Sequence, residues 1–132
     1  MSEFTDYLED ALLDHAFSEG VRDYTPSTGL YVALTTSTIS DDGTGITEPT
    51  LGGYARQPVT FGAAASGTTS NSLQVDFTAS GAAYDATITG MAIMFQITGG
   101  EMLCYDMDMT DTTINDGDTL RFAVGDIDIS LD

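Results

Sequence analysis

The residues able to do chemistry are few. His15 is the single histidine, and Cys104 is the single cysteine. No second histidine or clustered cysteine exists to build a zinc site. No Gly-x-Ser-x-Gly elbow surrounds any serine, so a nucleophile triad has no local signature. Carboxylates are abundant in "DMDMTD" (106–111), "NDGD" (115–118) and "DIDIS" (126–130). A calcium loop needs several oxygen ligands at set spacing. Here the acids mostly alternate with apolar residues, as on a strand with one wet face. A glycosidase would need two placed carboxylates, but the chain has no tryptophan to form a sugar platform. The residues therefore point to no catalytic group, no metal and no cofactor. The remaining candidate is Arg56 in "LGGYARQPVTFG" (51–62). Glycines beside an arginine can cradle an anion, yet no helix follows to complete the cradle.

Arg56 is conspicuous because cations are scarce. The chain holds 3 Lys+Arg against 21 Asp+Glu, a formal net charge of -18. Nucleic-acid affinity comes from Lys and Arg displacing counterions at phosphates, so DNA and RNA are excluded as partners. Anionic membrane surfaces are disfavoured for the same reason. Such charge suits solubility, salt tolerance or docking onto a basic partner. Arg56 and Arg121 are expected to pair with carboxylates, within the fold or across a subunit contact, where a guanidinium can bind in two places.

The elements that must position these residues are mostly strands. At 132 residues the chain reads as a single domain, 1–132, long enough for a core without disulfides. Cys104 lies in an apolar run and is expected to be a buried thiol. The N-terminus is acidic and lacks an apolar signal region, so synthesis and folding in the cytoplasm are expected. Residues 1–20 read as a helix, with Phe4, Leu8, Leu12 and Ala16 at i, i+4 spacing and Tyr7 beside them. Thr5 suits its start and Gly20 its end. From Leu30 the period changes to two. Strands are expected in "LYVALTT", "YARQPVTF", "SLQVDF", "ATITGMAIMFQI", "EMLCYDMDM", "TLRFAV" and "DIDISL". In "SLQVDF" Leu73, Val75 and Phe77 should face inward. Pro58 marks an edge strand or a bulge, and Gly90 marks a possible bulge. The connection "GAAASGTTSN" reads as a loop. The fold class is thus mainly β, an antiparallel β-sandwich or jelly roll of about seven or eight strands over 30–132, with one N-terminal α-helix.

Three surfaces are candidate interfaces: the helix (Tyr7, Leu8, Leu12), the loop 38–53, and the methionine-rich hairpin with Met94 and Met102. In that hairpin both faces carry bulk, so either two layers cover it or one face meets a partner. Each surface has a plainer reading as packing within the chain. Tyr54 adds aromatic bulk beside Arg56.

"GGYARQPVTFGAA", then "TTSNSLQVDF", then "INDGDTLRFAVGDIDISLD" resemble a family of small tailed-bacteriophage virion structural proteins, often labelled tail-fibre proteins. The resemblance runs from about Leu30 to the end. It departs in the hairpin, which is richer in methionine and acid than the family's pattern. What it implies is a virion structural role without catalysis. With no repeat or coiled coil to form a shaft, the expectation is a capsid decoration (cement) protein on the capsid exterior. Its partners would be the major capsid protein and itself, as a homo-oligomer (trimer or dimer). A tail or neck component (tail-fibre or adaptor protein) is the alternative, with a non-viral binding module or hydrolase as the third reading.

Overall fold

A computed structural model describes residues 3–18 and 29–131. Among them one helix and nine strands form, all strand pairs being antiparallel. In chain order they are β1 (Glu3–Phe4), α1 (Asp6–Phe17), β2 (Leu30–Thr35), β3 (Gln57–Val59), β4 (Thr68–Ser70), β5 (Val75–Thr78), β6 (Gly90–Met94), β7 (Met102–Asp106), β8 (Thr119–Phe122) and β9 (Asp128–Ser130). The mainly β, sandwich-like expectation holds. A five-stranded sheet runs β1-β7-β6-β2-β3, and two ribbons, β5-β8 and β4-β9, complete the fold.

The principal core lies on one face of that sheet. Val32, Leu34, Met91 and Ile93 project from it, and Val75, Phe77 and Ile127 oppose them. Leu120, Phe122 and Ile129 from β8 and β9 pack at its margin, as do Phe4 and Leu12. Period-two alternation explains the choice of residues: on β5, Val75 and Phe77 are buried while Thr78 is exposed. The opposite face is covered too. Ala33, Ala92, Met94, Met102 and Tyr105 form a second cluster, closed by Ile39 and Ile46 of the segment joining β2 to β3. Of the two readings of the methionine hairpin, a second covering layer is the one seen. Met94 and Met102, each 3% exposed, present no outer face.

Several elements differ from expectation. Phe4 belongs to β1 and Ala16 is exposed, so the helical stripe reduces to buried Leu8 and half-buried Ala11 and Leu12. Gly20 lies outside the described residues. β6 stops at Met94, leaving Ile97 exposed. β3 begins only at Gln57, so Tyr54 and Arg56 precede the strand. Leu73 is 64% exposed, because β5 starts two residues later, at Val75. Thr68–Ser70 pairs with β9 as a strand although its composition reads as a loop.

The bulge is not at Gly90. The register passes from Ile93↔Cys104 to Met94↔Met102, so Leu103 is the extra residue. Gly90 serves close approach instead: a Cβ there would lie 2.7 Å from the Asp106 carbonyl oxygen and 2.6 Å from the Met107 sulfur. The bulge has a function that Thr5 reveals. Thr5 is fully buried, and its Oγ donates to the carbonyls of Met102 (2.6 Å) and Leu103 (3.1 Å). Its backbone N–H also donates to Leu103 O at 3.0 Å. The same Oγ accepts from Leu8 N at 3.4 Å, capping α1. One threonine thereby fixes the helix start against the sheet.

Two outcomes follow. Thr5→Val keeps the shape but removes the hydroxyl, and should destabilise the fold by about 1–2 kcal/mol in urea titration, with amide exchange accelerated first in α1. Cys104 is 1% exposed, and burial pushes its thiol up to about 12. Because the thiolate is the reactive species, a disulfide reagent at pH 8 should leave the native protein unmodified and react fully once denaturant is added.

Candidate functional site

Arg56 is the most connected polar side chain of the sequence-derived set. It is 6% exposed. Its Nε donates to Glu48 Oε1 and its Nη2 to Glu48 Oε2, both at 2.9 Å. Its Nη1 donates to the carbonyls of Gln96 (2.8 Å) and Gly99 (2.7 Å) in the β6–β7 connection. A two-point guanidinium–carboxylate contact plus two carbonyls is the geometry a buried arginine needs to offset desolvation.

Tyr54 extends the network into the core. Its hydroxyl donates to Glu48 Oε1 at 2.7 Å and accepts from Leu34 N at 2.9 Å. Burial pushes its pKa up from the ordinary tyrosine value. Its ring stacks on Phe77, centroids 5.9 Å apart, and meets Tyr84 edge-on at 5.7 Å. The hydroxyl has a structural reason to be there. The last β2–β3 pair is Val32↔Gln57, so Leu34 lies beyond the reach of β3. Tyr54 takes the N–H of Leu34, and Thr47 O takes that of Thr36 at 2.8 Å. The sheet edge is thereby satisfied where the partner strand ends.

Gly52 completes the segment. Its φ is +70°, and a Cβ would lie 2.7 Å from the Tyr84 ring and 2.8 Å from Ala82 O. Glycine is needed here for both conformation and space. Beside the network an open cleft of about 440 Å³ is lined by Pro49, Thr50, Ala55, Ile97 and Thr98 together with Glu48 and Arg56. Each guanidinium nitrogen of Arg56 is already engaged, so the arrangement acts as a clamp.

Arg121 is different. It pairs with Asp76 directly across β5–β8, Nε to Oδ1 at 2.8 Å and Nη2 to Oδ2 at 3.0 Å, yet it is 55% exposed. The Arg121 guanidinium holds the Asp76 carboxyl below its usual range. Because the folded value is the lower one, the contribution is full above the unfolded carboxylate range and is lost as pH falls through the lowered value.

Sequence reasoning missed Asn71 as a keystone, although it sits within one of the resembling motifs. It is 1% exposed. Its Oδ1 accepts from Gly125 N and Ile127 N, and its Nδ2 donates to Leu73 O and Ala123 O. The motif "TTSNSLQVDF" and the closing "TLRFAVGDIDISL" therefore meet at one side chain. An asparagine just ahead of an alternating strand was the available signal.

The other candidates separate. Leu8 is buried in the principal core, Leu12 packs at its edge, and Tyr7 is 40% exposed with its ring edge-on to Phe95. His15 lies exposed in the last turn of α1. Among the described residues no group of three or more His, Cys, Asp or Glu is arranged to hold a metal ion, and no helix is long and apolar enough to cross a membrane.

The clamp should outweigh the surface pair. Arg56→Met strands Glu48 and two carbonyls, and should lower unfolding free energy by roughly 2–4 kcal/mol. Arg121→Ala should leave the urea midpoint nearly unchanged at neutral pH.

Comparison with curated proteins finds no match. Comparison with protein families finds one, described as Podophage GP4 fiber I protein gp80, over residues 3–130. It spans α1, every strand, the Arg56 clamp and the Asn71 keystone, and the chain belongs to this family of phage virion structural proteins.

Proposed function

We propose that the chain is a structural subunit of a tailed-phage fiber, carried at the tail or neck, and that it acts by binding rather than by catalysis. The observation that carries this reading is the family match across residues 3–130, whose description names a fiber protein. The site geometry agrees with it. The most highly hydrogen-bonded of the candidate polar groups, Arg56, Glu48, Tyr54 and Asn71, are all engaged in joining segments of the chain. A fiber subunit would contact further virion proteins, including copies of itself.

A second reading, a capsid decoration protein bound to the major capsid protein, is favoured by one feature. The described strands are short, 2 to 6 residues each, and wrap two layers without a repeat. A shaft would need elongated repeats, whereas a cement protein needs only a compact body.

Electron cryomicroscopy of purified particles labelled with an antibody fragment against this chain separates the two. Label at the tail or neck is the expected result. Label over the head shell would instead establish the decoration reading, and particles free of the chain by mass spectrometry would reject both.

A further inference from the structure

The outer surface of α1 combines large exposed apolar side chains with exposed carboxylates. Leu8 and Leu12 turn toward the sheet, but Leu13 and Phe17 face away, 56% and 77% exposed. Spaced four residues apart, they stand side by side on the helix. Beside them Phe4, Leu12, Leu13 and Leu131 line a groove of about 290 Å³, with Glu9 at its rim. Leu131 adds a further exposed apolar side chain, at 59%. Isolated apolar residues on a surface are ordinary, but a groove with an adjoining leucine–phenylalanine pair marks a docking surface.

Charge decides what docks. The helix carries Asp6, Glu9, Asp10 and Asp14, all exposed, and no lysine or arginine. A symmetric contact between two copies through this face would set carboxylates against carboxylates. The chain has little to neutralise them with. It contains no lysine and three arginines. Arg56 is buried on Glu48, Arg121 is engaged by Asp76, and Arg22 lies outside the described residues.

Resting on the virion role proposed above, we propose that the outer face of α1 docks onto a different virion protein, through a surface with an apolar pocket rimmed by lysine or arginine. Phe17 and Leu13 are the anchors that enter the pocket, and the helix carboxylates set orientation and association rate. Contacts between copies of this chain, where they occur, use other surfaces.

Photocrosslinking in assembled particles tests this. The full chain carries p-benzoylphenylalanine at position 17, with position 73, another exposed apolar site, as control. Particles are purified, shown by mass spectrometry to contain the chain, irradiated and digested. The expected product joins position 17 to another virion protein through a peptide of net positive charge, with at least tenfold less of that product from position 73. A conjugate between two copies of this chain, a contact peptide without net positive charge, or no conjugate at position 17 would each overturn the proposal. As a second arm, Leu13→Asp/Phe17→Asp should reduce incorporation into particles at least tenfold while the purified chain keeps its native urea midpoint. Unchanged incorporation would overturn it equally. Particles lacking the unsubstituted chain would instead refute the virion role itself.

Discussion

A buried arginine in a chain this acidic is the constraint around which the rest is arranged. With a formal net charge of -18, most added order brings like charges closer, and self-repulsion opposes compaction. Arg56 reverses that locally. It draws Glu48 inward and binds the β6–β7 connection through two carbonyls, while the same carboxylate accepts from Tyr54. Residues 48–56 and the distant β6–β7 connection are joined at one guanidinium. Replacing it with lysine would not serve, because a single ammonium cannot reproduce the two-point carboxylate contact and reach two carbonyls in the same plane. Arg121 shows the contrast. Its pairing with Asp76 has similar distances but stands in solvent, where water competes for both partners.

The clamp also explains how a sheet this small is covered on both faces. The segment between β2 and β3 carries Ile39 and Ile46 over the second cluster, yet a loop has no ladder of its own to hold it there. Its fixings include the Thr36–Thr47 backbone bond near its middle, the Thr50–Asp85 bonds, and the Glu48–Arg56–Tyr54 network near its end. Thr5 at the bulge and Asn71 between β4 and β5 work by the same logic at other junctions. Each satisfies several backbone groups where regular pairing stops. Short strands create many such ends, and each end buries polar groups that need partners.

Strand content was legible because burial imposes period two. Val32 and Leu34, Val75 and Phe77, and Leu120 and Phe122 all alternate as their pattern requires. Strand ends were not legible, because they depend on side chains elsewhere. Tyr54 and Arg56 leave the strand to serve the clamp, and Leu73 is turned outward next to an asparagine committed to Gly125 and Ile127. β4 lacks any apolar alternation and exists because β9 offers it a partner. Gly90 carried a real signal, a glycine inside a strand, but close approach and a bulge look alike in sequence. The scarcity of arginine did mark the clamp, since an acidic chain has few other ways to neutralise a carboxylate as it is drawn inward.

The same scarcity shapes what the surface can do. Two of the three arginines are spent within the fold, on Glu48 and Asp76. The charged groups of the described exterior are therefore mostly carboxylates, and the exposed Arg121 is already held by Asp76. For such a surface, contact with an identical copy must rely on apolar or backbone groups, and its strength should rise with salt as repulsion is screened. Contact with a basic partner has the opposite salt dependence, because added ions weaken the attraction. Within a virion both kinds of contact can coexist on one chain only if they occupy different faces. The helix, with its outward leucine and phenylalanine among four carboxylates, has the composition of the second kind. The edge strand β3, with Pro58 exposed and no charged residue in Gln57–Val59, has the composition of the first.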